Sequence, residues 1–481
     1  MFRWRKPWLA CSRFCKRGEL ARSWEIFVTL RRILICVPVI VFLKNQRDMK
    51  SCFRSSFLPC FKRISTWFLP FLGMGALMLS CQPEEDGPAE RALIVYMAAD
   101  NNLSPYAQRN IDGLMKGMAS APENTRTIVY LDKMQGDDAL PYLFEVTAKG
   151  TKRLYTWEED HNSASPEVFR EVLDKAMELC PANAYGLSLW SHGTGWLPGE
   201  ALRYLAKSAS KEASFPPTKL SLSIGEGSGS AANAGLSGFG DDVPSIYYCG
   251  QDDGVPGGGY LEMDEIAAAL PDGMFDYILF DACLMASAEA LYPLRDKVDY
   301  VVASPMEVIA DGFPYATITQ YLLQPVPDLQ KVCEGYFAYY AEHADSRYHS
   351  ATISLIDMAQ LGALATLTGE LMKGALAQDP EALLRQTAES RLQVFDRYRR
   401  HFLYDMDNVM ENLQEDGLVS EADLSDWRSQ LARTVLFERH TASFLGWAIN
   451  RCCGLSVYVP SEGSPYNSFY EELDWAKDLG L

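Results

Sequence analysis

The sequence predicts an α/β protein with a mostly parallel central sheet. Short apolar runs with the length of buried strands recur along the chain, and helical patterns separate them. The first such helix pattern begins at Ser104-Pro105, where serine suits an N-cap and proline suits a first turn, and another begins at Ser165-Pro166. Alternating strands and helices are typical of βαβ units, whose strands are parallel. The predicted strands are Ala92–Ala99, Thr127–Leu131, Leu143–Thr147, Tyr185–Trp190, Tyr277–Phe280, Tyr300–Ala303 and Thr352–Ile356.

Composition divides the chain into a basic leader and an acidic body. The leader, residues 1–81, holds 15 of the 44 Lys and Arg residues but only 3 of the 63 Asp and Glu residues. Such an acidic body argues against nucleic-acid binding and favours cationic ligands, basic peptides or calcium. The predicted parts after the leader are a tether at 82–90, an α/β core at 91–325 with a flexible insertion at 197–245, and a mainly helical C-terminal lobe at 326–481 that contains a closing strand, returning to the sheet, at 454–459.

The leader resembles a bacterial lipoprotein signal peptide. Basic residues precede an apolar stretch from Ile64 to Leu79, and a small residue then precedes Cys81. In that pattern the Cys81 thiol is lipidated and becomes the mature N-terminus, although Met78 stands where the pattern prefers leucine. The alternative is a retained hydrophobic anchor, but ~16 apolar residues are short for a membrane span. The acidic residues after Cys81 resemble a surface-export signal, so we expect an outer-membrane or cell-surface lipoprotein whose translation starts at Met49.

Two chemically reactive side chains follow predicted strands. His192 comes directly after the strand that ends at Trp190, and Cys283 follows the strand that ends at Phe280. Ligands of parallel sheets bind beyond the carboxyl ends of the strands, which is where both residues fall. We also predict a helix from Leu284 to Tyr292, whose N-terminus would lower the pKa of the Cys283 thiol. Taken singly, the histidine is more often structural and the cysteine more often inert.

As a pair, these residues have the composition that a cysteine peptidase needs. The thiolate is the nucleophile, the imidazole handles protons, and backbone N–H groups bind the oxyanion. Gly193 lets the backbone approach a substrate carbonyl closely, and the N–H group of Cys283 is the second candidate donor. The other five histidines do not stand between an apolar strand and a glycine.

Four ordered blocks of the chain resemble the clostripain family of cysteine peptidases. These blocks are Val95-Tyr-Met-Ala-Ala-Asp-Asn-Asn-Leu103, Leu189-Trp-Ser-His-Gly193, Phe280-Asp-Ala-Cys-Leu-Met285 and Gly454-Leu-Ser-Val-Tyr458. The resemblance implies a caspase-like α/β/α sandwich and a catalytic dyad with His192 as base and Cys283 as nucleophile. It also implies that Gly193 and Cys283 form the oxyanion hole.

The resemblance further implies cleavage after Arg or Lys. Such specificity needs a carboxylate in the first substrate pocket. Asp281 matches the pocket residue of the family, and Asp311 is a second candidate. The alternatives are a helix N-cap for Asp281 and a turn residue for Asp311. A peptidase with another first-pocket preference also remains open.

Family members are cut between the histidine and the cysteine, so we expect self-cleavage within 197–245. The candidate positions are Lys207, Lys211 and Lys219. Gels should then resolve two fragments for the wild type and one band for Cys283→Ala.

We expect no required cofactor and no structural zinc site, because the six cysteines after Cys81 show no CxxC or Cys/His ligand spacing. Calcium is a candidate ligand of the acidic loops at Asp100, at Asp241-Asp242 and at Asp252-Asp253, although no EF-hand pattern is present. Solvated turn residues are the alternative explanation of these loops. The rival to an enzyme is a non-catalytic surface lipoprotein that captures peptide or glycan on a caspase-like scaffold.

Overall fold

A computed structural model describes residues 87–134, 140–199, 250–254, 259–398 and 401–480. The predictions for the leader, for Cys81 and for Lys207, Lys211 and Lys219 lie outside these residues, as does Asp241-Asp242. Residues 86–481 cluster as one compact unit. Within the described ranges, no helix combines the length and the apolar character that a membrane span requires.

A nine-stranded sheet forms the centre of the protein, in the order β12-β10-β9-β8-β5-β1-β2-β3-β4. The five strands from β2 to β9 in that order are parallel, and antiparallel strands extend both sides. The strands of this sheet are β1 (Arg91–Ala99), β2 (Thr125–Lys133), β3 (Tyr142–Thr147), β4 (Gly150–Thr156), β5 (Tyr185–Trp190), β8 (Phe275–Asp281), β9 (Val298–Ala303), β10 (Thr352–Asp357) and β12 (Val435–His440). Three two-stranded ribbons accompany it: β6 (Gln251–Asp252) with β7 (Gly259–Tyr260), β11 (Tyr404–Asp405) with β15 (Ser456–Val457), and β13 (Ser443–Phe444) with β14 (Trp447–Ala448).

Helices cover both faces of the sheet. Their bounds are α1 (Ser104–Gly117), α2 (Pro166–Leu179), α3 (Met263–Ala269), α4 (Ala288–Leu291), α5 (Tyr315–Leu322), α6 (Leu329–Ala341), α7 (Leu361–Gln378), α8 (Ala382–Ala388), α9 (Met406–Glu415), α10 (Glu421–Thr434), α11 (Asn467–Tyr470) and α12 (Asp474–Leu479). Local sequence sets several of these ends. The hydroxyl of Ser165, for example, accepts a hydrogen bond from the N–H of Val168 and caps α2.

The alternation of side chains along β1 divides the apolar core into two layers. Ile94 and Tyr96 belong to the layer shared with α2, α3, α7, α9 and α10. Val95 and Met97 belong to the opposite layer, which α1, α5 and α6 complete. Because every residue of β1 is buried, both faces of the central strand need apolar side chains. The predicted α/β/α sandwich is therefore confirmed.

Close packing holds the two strands that carry the reactive residues. Gly186 on β5 faces the ring of Tyr277 on β8, and a Cβ at position 186 would overlap that ring. The Tyr277 hydroxyl donates to the carbonyl of Leu322, 2.9 Å away, so the ring cannot move aside without losing a buried hydrogen bond. Glycine at position 186 thus lets β5 and β8 pair at normal spacing.

The prediction that the closing strand returns to the central sheet is wrong. Ser456–Val457 pairs instead with Tyr404–Asp405, and Ser456 also bridges to Ser287. The sheet edge beside β10 is formed by β12, which follows α10 directly. β12 alternates half-buried with exposed residues, including charged ones, so its apolar signal is weak. The division into a core and a C-terminal lobe stays a prediction; strands from both ranges enter the one sheet.

Candidate active site

Three neighbouring parallel strands end at the same level of the sheet. Met97 of β1 pairs with Trp190 of β5, and Trp190 pairs with Asp281 of β8. The chain leaves β1 for β2 on one side and later adds β5 and β8 on the other, so this edge lies at a reversal of strand order. Ligand sites of α/β proteins form at such reversals. His192 and Cys283 each come two residues after a member of the Trp190–Asp281 pair, which brings the two loops together.

His192 is buried, and one nitrogen of its ring contacts the loop after β1. The Nε2 atom lies 2.6 Å from Oδ1 of Asn102, in the loop after β1. Because a carboxamide oxygen only accepts, this contact places the proton on Nε2 and makes Nδ1 the basic nitrogen. Burial lowers the pKa of His192 to about 4. The ring is therefore a neutral imidazole at neutral pH.

Cys283 is half-buried beneath the loop that follows β9. Its thiol accepts a hydrogen bond from the N–H of Val308 at 3.3 Å and donates to the carbonyl of the same residue at 3.5 Å. Burial first, and then the carboxylate of Glu307, raise the pKa of the Cys283 thiol to about 12. Glu307 is itself paired with Arg397 at 2.7 Å. In this arrangement the sulfur is a thiol rather than a thiolate.

The helix predicted to begin at Leu284 is shorter and starts later. It spans Ala288–Leu291, and the hydroxyl of Ser287 caps it. Leu284 has φ of 65° and its N–H group donates to the carbonyl of Met306, so residues 282–287 form a turn instead of a helix start. The expectation that a helix N-terminus lowers the pKa of Cys283 is therefore wrong. Side-chain periodicity alone does not reveal a left-handed residue at the end of a strand.

The backbone N–H groups of Gly193 and Cys283 lie at the same edge. A Cβ on Gly193 would overlap the carbonyl oxygen of Cys283 and would lie 2.9 Å from the sulfur of Met285. Glycine therefore permits the close approach of the two loops. Within the described part of the chain, neither N–H group donates to a protein acceptor. Two donors that a protein leaves unused beside a thiol match the requirement of an oxyanion hole.

Asp281 is a buried acid two residues before Cys283. Its Oδ2 atom accepts hydrogen bonds from the N–H of Phe313 at 3.2 Å and from the hydroxyl of Tyr315 at 3.0 Å. Burial raises the pKa of Asp281 to about 7 despite these two hydrogen bonds. The alternative role as a helix N-cap is wrong, because Ser287 caps α4.

Asp311 lies next to Asp281 through the intervening glycine. Gly312 has φ of 72°, and a Cβ there would lie 2.8 Å from Oδ2 of Asp281 and 2.8 Å from Oδ1 of Asn110. The Asp311 side chain is mostly buried and forms an ion pair with Arg109 of α1, which is mostly exposed. The two carboxylates therefore share one acidic region, with a guanidinium already bound to one of them.

A second acidic group lies beside the other face of the same strand ends. Asp100, Asp132 and Asp252 are all at least nine-tenths buried. Asp252 accepts hydrogen bonds from the N–H and hydroxyl of Ser163, whereas neither carboxylate oxygen of Asp132 has a partner among the described residues. Burial and the charges of Asp252, Asp160 and Asp100 raise the pKa of Asp132 to about 8. These acids are not solvated turn residues.

The sequence analysis did not identify Asn102 as a partner of His192. The sequence nevertheless contains an indication, because Asn102 follows the buried strand β1 and the carboxyl ends of parallel strands lie at the same edge of the sheet. Glu307, Arg397 and Val308 were also missed, since they come from loops far along the chain from Cys283. Only the tertiary fold brings them to the thiol.

These observations define a protein with a caspase-like sheet, a cysteine and a histidine at its carboxyl edge, and two unused backbone donors beside them. The chain matches the sequence profile of the clostripain family over residues 95–210 and 236–479. It belongs to the clostripain family and is a cysteine endopeptidase. The enzyme prediction is therefore confirmed against the binding-scaffold alternative. No similar sequence was found among curated proteins.

Solved structures with the same fold include two bacterial proteases. An inactive zymogen C11 protease from Parabacteroides distasonis is 28% identical, with a TM-score of 0.63 over 83% of this chain and 99% of that chain. A secreted C11 cysteine protease from Bacteroides thetaiotaomicron, bound to an irreversible peptide inhibitor, is 23% identical, with a TM-score of 0.61 over 81% and 98% of the two chains.

Replacing Asn102 with alanine should lower kcat about 10-fold and leave KM nearly unchanged, because the imidazole loses the acceptor that fixes its tautomer and orientation. Asn102→Asp should restore much of the activity, since it keeps an oxygen acceptor. The aspartate should also shift the acid limb of the pH profile upward, because a carboxylate raises a histidine pKa.

Steady-state kinetics on a fluorogenic peptide, measured across pH for the three proteins, check this. A structural role alone would not move the pH profile. Equal kcat values for wild type and Asn102→Ala would remove Asn102 from the positioning of His192.

Proposed function

We propose that this peptidase uses Cys283 and His192 to cleave peptide bonds after Arg or Lys. The observation that carries the proposal is that β5 and β8 end at the same level of the sheet, where Trp190 pairs with Asp281. His192 and Cys283 each come two residues after this pair. Hydrolysis by a cysteine peptidase requires no cofactor, because the thiol, the imidazole and the backbone supply the chemistry.

The reaction begins with a neutral pair. As the Cys283 sulfur attacks the substrate carbonyl carbon, Nδ1 of His192 takes the thiol proton, and the carbonyl oxygen becomes an oxyanion between the N–H groups of Gly193 and Cys283. The imidazolium then gives its proton to the leaving amine, and a thioester remains. A water molecule, deprotonated by His192, hydrolyses the thioester and regenerates the thiol.

The acidic region formed by Asp281 and Asp311 is the proposed pocket for the Arg or Lys side chain. Asp281 is the deeper of the two and lies two residues before the nucleophile, within reach of the residue that precedes the cut. A guanidinium or ammonium group would favour the ionised carboxylate and lower its pKa. The Arg109–Asp311 ion pair already shows the chemistry of such a contact within the chain.

Self-cleavage between His192 and Cys283 is the proposed activation step, with Lys207, Lys211 and Lys219 as candidate positions. Residues 211–235 fall outside the match to the family, as expected for an inserted segment. The 28% identical relative from Parabacteroides distasonis is itself an inactive zymogen.

The leader supports an address at the cell envelope. Lipidation of Cys81 would tether the acidic body to a membrane, facing the periplasm or the cell surface, through residues 82–90. Protein and peptide substrates rich in Arg and Lys would be attracted to such an acidic body.

Asp100, Asp132 and Asp252 are the proposed ligands of a calcium ion. The unpartnered oxygens of Asp132 fit a cation, because buried carboxylates otherwise need hydrogen bonds or a counter-charge. The carboxylate oxygens of the three do not all lie within 4.8 Å of one another, so binding would draw them closer. The bound cation would offset the mutual repulsion of these acids at the loop that carries Asn102.

Cys283→Ala should lower the hydrolysis of an Arg-ended fluorogenic peptide at least ~10³-fold, because no other group can form the thioester. The same variant should migrate as one band on a denaturing gel, whereas the wild type should give two fragments.

Iodoacetamide treatment of the wild type provides a chemical control and should also abolish hydrolysis. Activity that survives Cys283→Ala would reject the nucleophile, whereas a wild type that stays intact and active would reject only the self-cleavage step.

Asp281→Asn should lower kcat/KM for Arg- and Lys-ended peptides ~100-fold, because the amide cannot balance a buried cation. For the wild type, the same kcat/KM should rise with pH up to about 7, since only ionised Asp281 binds the cation and its pKa is about 7. Asp311→Asn should have a smaller effect, as Asp311 is already paired with Arg109.

Asp299→Asn is the matched control, because it removes the same charge from an exposed position of β9. A peptide library varied at the residue before the cut gives the preference directly. A preference for a neutral residue in the wild type would contradict the pocket assignment.

Calcium should raise the melting temperature of the wild type but not of Asp132→Asn. Without calcium, the wild type should lose stability as the pH rises from about 4 to about 8, because the Asp132 pKa is raised from 3.8 to about 8 and the folded state must give up a proton that it holds more tightly than the unfolded chain.

Differential scanning fluorimetry with calcium or a chelator, across that pH window, measures both effects. Asp296→Asn, which removes an exposed carboxylate, should behave as the wild type. An unchanged melting temperature with calcium would contradict the site.

A further inference from the structure

A glutamate, a histidine and a cysteine meet at the far edge of the central sheet. Glu438 and His440 lie on β12, the edge strand, and their positions two residues apart place both side chains on one face. Cys452 arrives from the segment after β14. One ligand atom from each of the three residues lies within 4.8 Å of the other two. No short sequence motif indicates this group, because twelve positions separate Cys452 from His440 and the β13–β14 hairpin lies between them.

The group is held from several sides. Nδ1 of His440 lies 2.7 Å from Oε1 of Glu438, and both side chains are about a quarter exposed. The neighbouring Cys453 anchors the cysteine segment, because its N–H donates to Asp405 at 2.6 Å and its sulfur faces the carbonyl of Leu455. Cys452 and Cys453 are both free thiols.

A buried hydroxyl without a partner lies in the same place. Ser354 of β10 pairs directly with Glu438 across the sheet, so the two side chains share a face. Its Oγ atom is fully buried and has no hydrogen-bond partner among the described residues. A Cβ on Gly454, two residues after Cys452, would lie 2.9 Å from this oxygen and 3.2 Å from Cγ of Glu438. A polar atom is therefore left unsatisfied beside the three potential ligands.

The chemistry of the donors selects the cation. A thiolate, an imidazole and a carboxylate are the ligands of zinc, whereas calcium and magnesium prefer oxygen alone. Three protein ligands leave the fourth tetrahedral position for water, to which the Ser354 hydroxyl could offer a hydrogen bond.

We propose that Glu438, His440 and Cys452 bind a zinc ion that fastens the C-terminal segment to the edge of the sheet. On binding, the Cys452 thiol releases its proton to solvent and the thiolate coordinates the ion, with no change of oxidation state. The segment that would be fastened continues to Ser456, whose N–H donates to the carbonyl of Ala286, three residues after Cys283. The ion would therefore stabilise a support of the active-site turn without touching it.

The test uses the full chain with Cys283→Ala, so that the catalytic thiol cannot bind the metal. Cobalt serves as a spectroscopic probe, because a thiolate ligand gives an intense near-ultraviolet charge-transfer band, and zinc serves in competition and melting experiments. We expect this protein to bind one more zinc per chain than the same protein carrying Cys452→Ser. Zinc should also raise its melting temperature by ~2 °C or more, with affinity falling at least ~10-fold in the Cys452→Ser protein.

Cys453→Ser is the matched control, because it changes the adjacent thiol and should keep the charge-transfer band and the affinity. His440→Gln, at a half-buried position, serves as the second ligand variant if Cys452→Ser lowers the melting temperature too far for comparison. A charge-transfer band of equal strength in the ligand variants and in Cys453→Ser, or none in the parent protein, would overturn the proposal. The three residues would then form only a histidine–carboxylate pair beside a packed thiol.

Discussion

The parallel register of β1, β5 and β8 is the constraint on which the active site depends. Because Met97, Trp190 and Asp281 stand side by side, the loops after these strands leave the sheet at one level and bring Asn102, His192 and Cys283 to one edge. Two glycines make this register sterically possible. A Cβ at Gly186 would overlap the Tyr277 ring, and a Cβ at Gly193 would overlap the Cys283 carbonyl oxygen. A shift by one residue would turn each reactive side chain to the opposite face of the sheet.

Much of this arrangement follows from the sequence alone. Mostly apolar strands such as β1 and β8 can be predicted from the sequence because both of their faces are buried. The placement of His192 and Cys283 follows from the rule that parallel strands end at one edge. The environment of the thiol does not follow. Val308, Glu307 and Arg397 approach it from loops that no periodic pattern describes, and the left-handed Leu284 replaces the predicted helix start. Edge strand β12 is not predicted from the sequence either, because half-exposed strands carry a weak apolar signal.

Burial determines the protonation states of His192 and Cys283. Burial disfavours the charged forms of the imidazole and the thiol, so His192 and Cys283 are both neutral. Catalysis therefore requires a proton transfer from the thiol to the imidazole. A charged or polar group that enters this region would alter the balance between thiol and thiolate. The same low-polarity surroundings that hold the groups in place thus keep both of them uncharged.

The backbone at Leu284 has a consequence for how this site can change over evolutionary time. A left-handed conformation costs a leucine about 1–2 kcal/mol, while burying its side chain contributes about 1.5–3 kcal/mol. The side chain is fully buried, so the gain slightly exceeds the cost. Glycine would relieve the backbone but empty the core, and a β-branched residue would fill the core but resist the turn. The position next to Cys283 is thus confined to few residues by two opposing demands, one from the backbone and one from the core.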